Sequence, residues 1–165
     1  MSDNLKKKTL LKGFLFLIII AVLVILDQWT KQLAVLKLKD SGPFVLIDNV
    51  FELTYLENRG AAFGMLQGKR TAFLLLTPVV IIALYIMSLK LSKDKKFIPM
   101  IVCFLLIAGG AAGNMIDRYF NGYVVDFLYF SLIDFPVFNT ADIFVSCGSV
   151  GLILLLLFKY KEEDL

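Results

Sequence analysis

The chain has 165 residues, is 59% hydrophobic and carries 17 Lys and Arg against 14 Asp and Glu, a formal charge of +3, with a mean hydropathy of +0.80. Soluble domains are about 45–50% apolar, so this composition indicates an integral membrane protein, and the length suits a single domain over residues 1–165. The absence of histidine excludes the Ser-His-Asp triad, the Cys-His pair and most zinc sites.

Lys6, Lys7, Lys8 and Lys12 precede the first apolar stretch, which begins at Gly13, is free of charge over Phe14–Leu26 and continues to Leu36. No small-x-small cleavage site closes it, so it reads as a retained span rather than a removable signal peptide. A span of about 20 residues must take in Asp27 near its outer end, and ionisable groups at membrane depth are costly and usually functional. Asp27 and Lys31 form an i, i+4 pair. In water such a pair contributes only about 0.3–0.5 kcal/mol, but near hydrocarbon it is expected to organise its surroundings.

Phe44–Ile47 and Val50–Leu56 are rich in β-formers and flank the turn pair Asp48-Asn49, which predicts a small antiparallel sheet at the membrane surface. Asn58-Arg59-Gly60 breaks that pattern. The run from Asn58 to Gly64 lacks the spacing of a phosphate-cradling loop, and its small residues suggest backbone lying close to another segment. Thr71–Leu89 is the second span and Phe97–Ile116 the third, joined by a link containing Lys90, Lys93, Lys95 and Lys96. Gly109-Gly110-Ala111-Ala112-Gly113 offers a small-residue face for close helix packing or for clearance beside an extended substrate. Asn114 shares a helix face with Asp117 and Arg118; Arg118 reads either as an interfacial anchor or as a group fixing carboxylates or a loop.

The next connection is aromatic, with Tyr123 and Phe127–Phe130 suited to the membrane interface. Pro136 limits helix before Asn139, which either caps the fourth helix or orients a carboxylate or substrate carbonyl. Ile143–Phe158 is the fourth span, followed by Lys159 and Lys161. Cys103 and Cys147 sit inside apolar runs and read as small core residues rather than a redox pair. The lysine distribution places both termini and the middle link in the cytoplasm and the Leu36–Arg70 and Asp117–Asp142 segments outside. The expected fold is an all-α integral membrane protein of four transmembrane helices with a small extracytoplasmic sheet. The lysines lie in short juxtamembrane clusters, so nucleic acid is not expected as a partner.

Any chemistry falls to carboxylates, lysines and hydroxyls. Asp126 lies in the last outer connection and Asp142 where the fourth span begins, so both can meet at the outer membrane face. Two carboxylates at short range share one proton; one then serves as base toward water and the other as acid toward a carbonyl. The plainer alternative makes Asp126 a loop residue and Asp142 a helix cap. A small four-span proton-coupled transporter is a different reading, with Asp27 as its coupling carboxylate, and an assembly protein is a third. Hard cations need six or more oxygens, few of which are offered here, and no metal or cofactor is expected.

Five ordered blocks sharpen this. Asp27-Gln28-x-x-Lys31, Asn58-x-Gly60-Ala61-Ala62-Phe63-Gly64, Gly113-Asn114-x-x-Asp117-Arg118, Val125-Asp126-Phe127 and Phe138-Asn139-x-Ala141-Asp142 resemble the motifs of the lipoprotein signal peptidase (signal peptidase II) family. The resemblance implies a bacterial plasma-membrane aspartyl endopeptidase with its site at the extracytoplasmic face. Such an enzyme removes signal peptides from diacylglyceryl-modified prolipoproteins, just before the lipid-bearing cysteine, and is a target of globomycin. It further implies that Asp126 and Asp142 are the catalytic pair. Asn58, Gly60, Asn114, Arg118, Asn139 and Ala141 would support the site, Asp27 and Lys31 would shape the substrate region, and a mobile loop or helix would cover it. A monomer working with membrane lipid and no cofactor is expected.

Overall fold

A computed structural model describes residues 3–60, 70–92 and 94–161. The Ala61–Gly64 part of the second motif, and the covering loop or helix expected there, lie outside the described residues. The elements in chain order are α1 (Asp3–Leu38), β1 (Phe44–Ile47), β2 (Phe51–Asn58), α2 (Arg70–Leu91), α3 (Ile98–Phe120), β3 (Val124–Tyr129) and α4 (Thr140–Phe158). All four helices are long and apolar enough to cross a membrane. At 1.5 Å per residue the 36 residues of α1 extend about 54 Å, well beyond a hydrocarbon core of about 30 Å.

Helix α3 is the hub. Half of its span is buried, whereas the spans of α1, α2 and α4 turn most of their apolar side chains outward. Leu75, Leu76, Val79 and Ile82 on α2 and Val150, Ile153 and Leu157 on α4 are exposed, a surface that suits lipid and not water. With no hydrophobic drive between helices in lipid, close approach depends on small residues. A Cβ at Gly109 would meet Leu23 of α1 at 2.7 Å, and one at Gly110 would run into the Ala141 carbonyl and Val145 of α4. A Cβ at Gly113 would collide with the Asp27 carboxylate. The small-residue run is therefore a packing face that lets α1 and α4 lie against α3.

The sheet caps one end of the bundle in the order β1-β2-β3, antiparallel throughout. The β1–β2 hairpin turns at Asn49, whose φ of 55° is left-handed, a conformation Asn tolerates better than most residues. Strand β3 was not expected: Val124–Tyr129 read as an aromatic interfacial connection. Its first four residues are buried on both faces, so it lacks the polar–apolar alternation that marks a half-exposed strand. Val125 and Phe127 pack on Ala34 and Leu38 at the end of α1.

At the opposite end, the start of α1, the α2–α3 link and the end of α4 converge. Lys12 donates to the Ser92 carbonyl, Tyr160 donates to the Lys96 carbonyl at 2.7 Å, and the Tyr160 and Phe97 rings stack at 5.3 Å. Both ends of the described chain thus lie away from the sheet.

Two helix boundaries differ usefully from expectation. The third helix runs to Phe120 rather than Ile116 and the fourth starts at Thr140 rather than Ile143, which puts Asp117, Arg118 and Asp142 on rigid helix beside Asn114. The cysteines also divide: Cys103 is buried as expected, but Cys147 is exposed, because α4 turns Gly148 and Gly151, not Cys147, toward α3.

Candidate active site

Asp126 pairs opposite Leu56 in the β2–β3 ladder. Asn58, two residues further along β2, therefore projects from the same face and reaches it diagonally. The Asn58 Nδ2 donates to Asp126 Oδ2 at 2.8 Å. Asp142 sits in the first turn of α4, where Asn139 is the N-cap. The Asn139 side chain accepts from the Asp142 N–H at 3.1 Å, and the Asp142 carboxylate accepts from the Asn139 N–H at 3.1 Å, a reciprocal capping box.

Asn139 also reaches the other carboxylate. Its Nδ2 donates to Asp126 Oδ1 at 2.6 Å and to Asn114 Oδ1 at 3.1 Å. Asn114 in turn donates from Nδ2 to Asp142 Oδ1 at 2.8 Å. The two aspartates are thus bridged by a pair of linked asparagine amides. Both alternatives for Asn139, helix cap and carboxylate orienter, hold at once.

Asp126 and Asp142 line one cavity of about 1040 Å³, together with Asn58, Asn114 and Arg118, and with an apolar wall that includes Val124, Phe138 and Val145. Asp126 is 1% exposed, whereas Asp142 is partly open. Burial pushes the Asp126 carboxyl up to about 6, the nearby Asp142 charge adds to this, and the Asn58 and Asn139 donors oppose it.

Arg118 bonds to neither carboxylate. It donates to the Gly60 carbonyl at 2.8 Å and the Asn114 carbonyl at 3.2 Å, and lies over the Phe73 ring at 4.5 Å. The Gly60 N–H is held by Asn58 Oδ1 at 2.9 Å. Arg118 therefore fixes the turn after β2, the loop alternative of its two sequence readings.

Asp27 and Lys31 are brought close to this cluster but do not line the cavity. They pair at 2.8 Å with side chains 0% and 3% exposed. Lys31 also contacts Asp117 Oδ2 at 3.1 Å and donates to Asn114 Oδ1 at 2.8 Å. Ala141, fully buried, donates its N–H to Asp27 Oδ1 at 2.9 Å. Asp27 is thus fully engaged, which removes the free span carboxylate on which the transport reading depended.

Asp117 is the residue that sequence reasoning underweighted. It is 2% exposed and accepts from Lys31, from Gln28 and from the Val125 N–H. The available signal was a second acidic residue one turn from Asn114 at a span end. Among the described residues, no buried side-chain donor or acceptor lacks a partner.

Fold and site together define a multi-pass membrane protein with a carboxylate-bearing cavity at the sheet end of its bundle. Residues 19–158 match the family described as Signal peptidase (SPase) II. The lipoprotein signal peptidase of Brevibacillus brevis is 45% identical over 149 residues, covering 90% of this chain and 98% of that protein. Its counterpart in Caldanaerobacter subterraneus subsp. tengcongensis is 46% identical over 144 residues, covering 87% and 96%. A solved structure, described as a bacterial membrane enzyme obtained by the in meso method at 2.3 Å resolution, superposes with a TM-score of 0.77 at 34% identity, covering 91% of this chain and 93% of that one. A second, at 1.9 Å, gives 0.73 at 35% identity, covering 88% and 94%. The chain belongs to the signal peptidase II family of peptidases.

Proposed function

We propose that this single membrane-embedded domain is an aspartic endopeptidase that cuts diacylglyceryl-modified prolipoproteins just before the lipid-bearing cysteine, with Asp126 and Asp142 as its catalytic pair. The observation that carries the reading is that these two carboxylates face one cavity and are bridged by the amides of Asn139 and Asn114. Asp142, the more open of the two, takes a proton from a water as that water attacks the scissile carbonyl carbon. Asp126, whose burial favours the protonated form, gives its proton to the carbonyl oxygen. Collapse of the tetrahedral intermediate breaks the C–N bond. The proton held by Asp142 passes to the leaving amine, and the intermediate's hydroxyl proton returns to Asp126, which restores the starting pair.

The position of the pair suits the substrate. A peptide anchored by acyl chains must be cut at the bilayer surface, and both aspartates sit where spans end. An apolar wall beside them can receive the residues that precede the cysteine and part of the lipid. By the lysine distribution, the sheet end faces the outside of the plasma membrane and both termini face the cytoplasm. A globomycin-type cyclic peptide would compete for the same cavity, and a monomer contains every residue the mechanism uses.

The test is cleavage of a diacylglyceryl-modified prolipoprotein by purified protein in detergent, followed by gel shift beside the unmodified substrate. Cleavage is expected only of the lipid-modified form, and Asp126→Asn and Asp142→Asn are each expected to abolish it while remaining folded. Full activity in either variant refutes the pair.

A further inference from the structure

Behind the cavity lies a second ionic group, on which the mechanism above does not draw. Lys31 is buried between two carboxylates, Asp27 at 2.8 Å and Asp117 at 3.1 Å. Gln28 clamps the same two from the side, with its Nε2 at 3.2 Å from Asp27 Oδ2 and 2.9 Å from Asp117 Oδ1. Each carboxylate also holds one backbone N–H. Asp27 accepts from Ala141, the residue before Asp142, at 2.9 Å. Asp117 accepts from Val125, the residue before Asp126, at 3.1 Å. The lysine therefore bridges two tethers, one to the backbone N–H of the residue just before each aspartate of the pair. Its third bond, to Asn114 Oδ1 at 2.8 Å, puts its charge one amide away from Asp142.

We propose that Asp27, Lys31 and Asp117 form a positioning triad that fixes the separation of Asp126 and Asp142 and the charge under which that pair shares its proton. The inference rests on the assignment of Asp126 and Asp142 as the reacting carboxylates. None of the three touches the cavity, so they are positioning residues. Burying two carboxylates and one ammonium is costly, and the bundle end could be packed more cheaply with apolar residues if only cohesion were needed. What apolar residues cannot supply is a pair of acceptors for the Val125 and Ala141 N–H groups at a distance set by a shared cation.

With both carboxylates paired to Lys31 as ions, the triad carries a net charge of −1, which disfavours ionisation of the nearby pair. Among the described residues, the other charged or titratable groups facing the site are Arg118 on α3, Glu57 and Arg59 around the end of β2, Tyr129 on β3, Asp134 after it and Cys147 on α4; all are unaltered by the substitutions below. Asp27→Asn and Asp117→Asn each keep an oxygen for the backbone N–H but remove one negative charge, so ionisation of the pair becomes easier and its titration moves to lower pH.

The experiment measures kcat and KM against pH for wild type, Asp27→Asn, Asp117→Asn and Asp117→Ala in detergent, with Asp126→Asn as control. Both Asn variants are expected to shift the kcat profile acidward by about half to one unit, with KM within about twofold. Asp117→Ala, which also frees the Val125 N–H, is expected to lose a further ten- to hundredfold, in the range that about 1 Å of misplacement costs. If Asp117→Ala fails to fold, the two near-isosteric Asn variants still decide. Unchanged pH profiles, with activity tracking only the amount of folded protein, overturn the triad's role. An active Asp126→Asn overturns instead the assignment on which it rests.

Discussion

Toward the α2–α3 link, the bundle is held by Phe16, Phe97, Met100, Phe104, Ala108 and Tyr160, a cluster of rings and aliphatic groups. Toward the sheet, the same helices meet through Asp27, Lys31, Asp117 and Asn139, all nearly or fully buried. One half coheres by contact alone, which falls off gently as shapes change. The other coheres by hydrogen bonds in a low-dielectric setting, where each group has a specific partner and a missing one is penalised heavily. A membrane helix bundle gains little from apolar burial against lipid, so the polar half is the part that specifies one arrangement, and it is also where the reacting groups are proposed to lie.

Substitutions can break this contrast in graded steps. The largest effect is expected from Asp126→Asn or Asp142→Asn, each lowering kcat by about 10³-fold or more, since one variant loses the acid toward the carbonyl and the other the base toward water; single-turnover cleavage measures it. Next is Lys31→Met, which leaves two buried carboxylates without their cation and should destabilise the protein by about 3–5 kcal/mol, read as a lowered unfolding midpoint in detergent.

A pH effect of intermediate size follows from Asp126. Its carboxyl is raised to about 6, so the folded state holds that proton more tightly than the unfolded chain does. The stability this contributes is present below about pH 4 and is lost as pH rises through about 6, amounting to about 3 kcal/mol. Thermal unfolding against pH should show the decline in wild type and not in Asp126→Asn.

Gly110→Ala forces α3 away from the Ala141 carbonyl and Val145 of α4 and should cost about 1–3 kcal/mol, with kcat falling because Asp142 rides on the same turn. Phe104→Leu in the apolar half marks the small end of the scale. It should cost about 1 kcal/mol and leave kcat unchanged; an altered kcat there would mean that the two halves are mechanically coupled.

Much of this division is legible in the amino-acid sequence. The four spans were visible because lipid demands long unbroken apolar runs, and the β1–β2 hairpin because Asp48-Asn49 is turn chemistry between β-formers. The motifs single out Asn58, Asn114, Asp126, Asn139 and Asp142 as a group, and the structure brings these five residues together. Strand β3 escaped because a strand covered on both faces carries no period-two signal. Asp117, though part of a motif, receives no role from the sequence because nothing local distinguishes a helix-end carboxylate in water from one buried against a lysine 86 positions earlier; only the folded chain makes them neighbours. Arg118 fell the same way: its two readings differ by a contact with Gly60, 58 residues away.

The reciprocal cap at the start of α4 bears on how the protein comes into being. Asn139 and Asp142 are supplied at the start of the fourth span, which leaves the ribosome after the other three, and they complete both the helix start and the bridge to Asp126. A nascent chain holding only the first three spans lacks Asp142, the amide that steadies Asp126 and the α4 side of the cavity. On the proposed assignment, proteolytic competence would arrive with insertion of the fourth span, so copies still lacking it would be inert toward their neighbours.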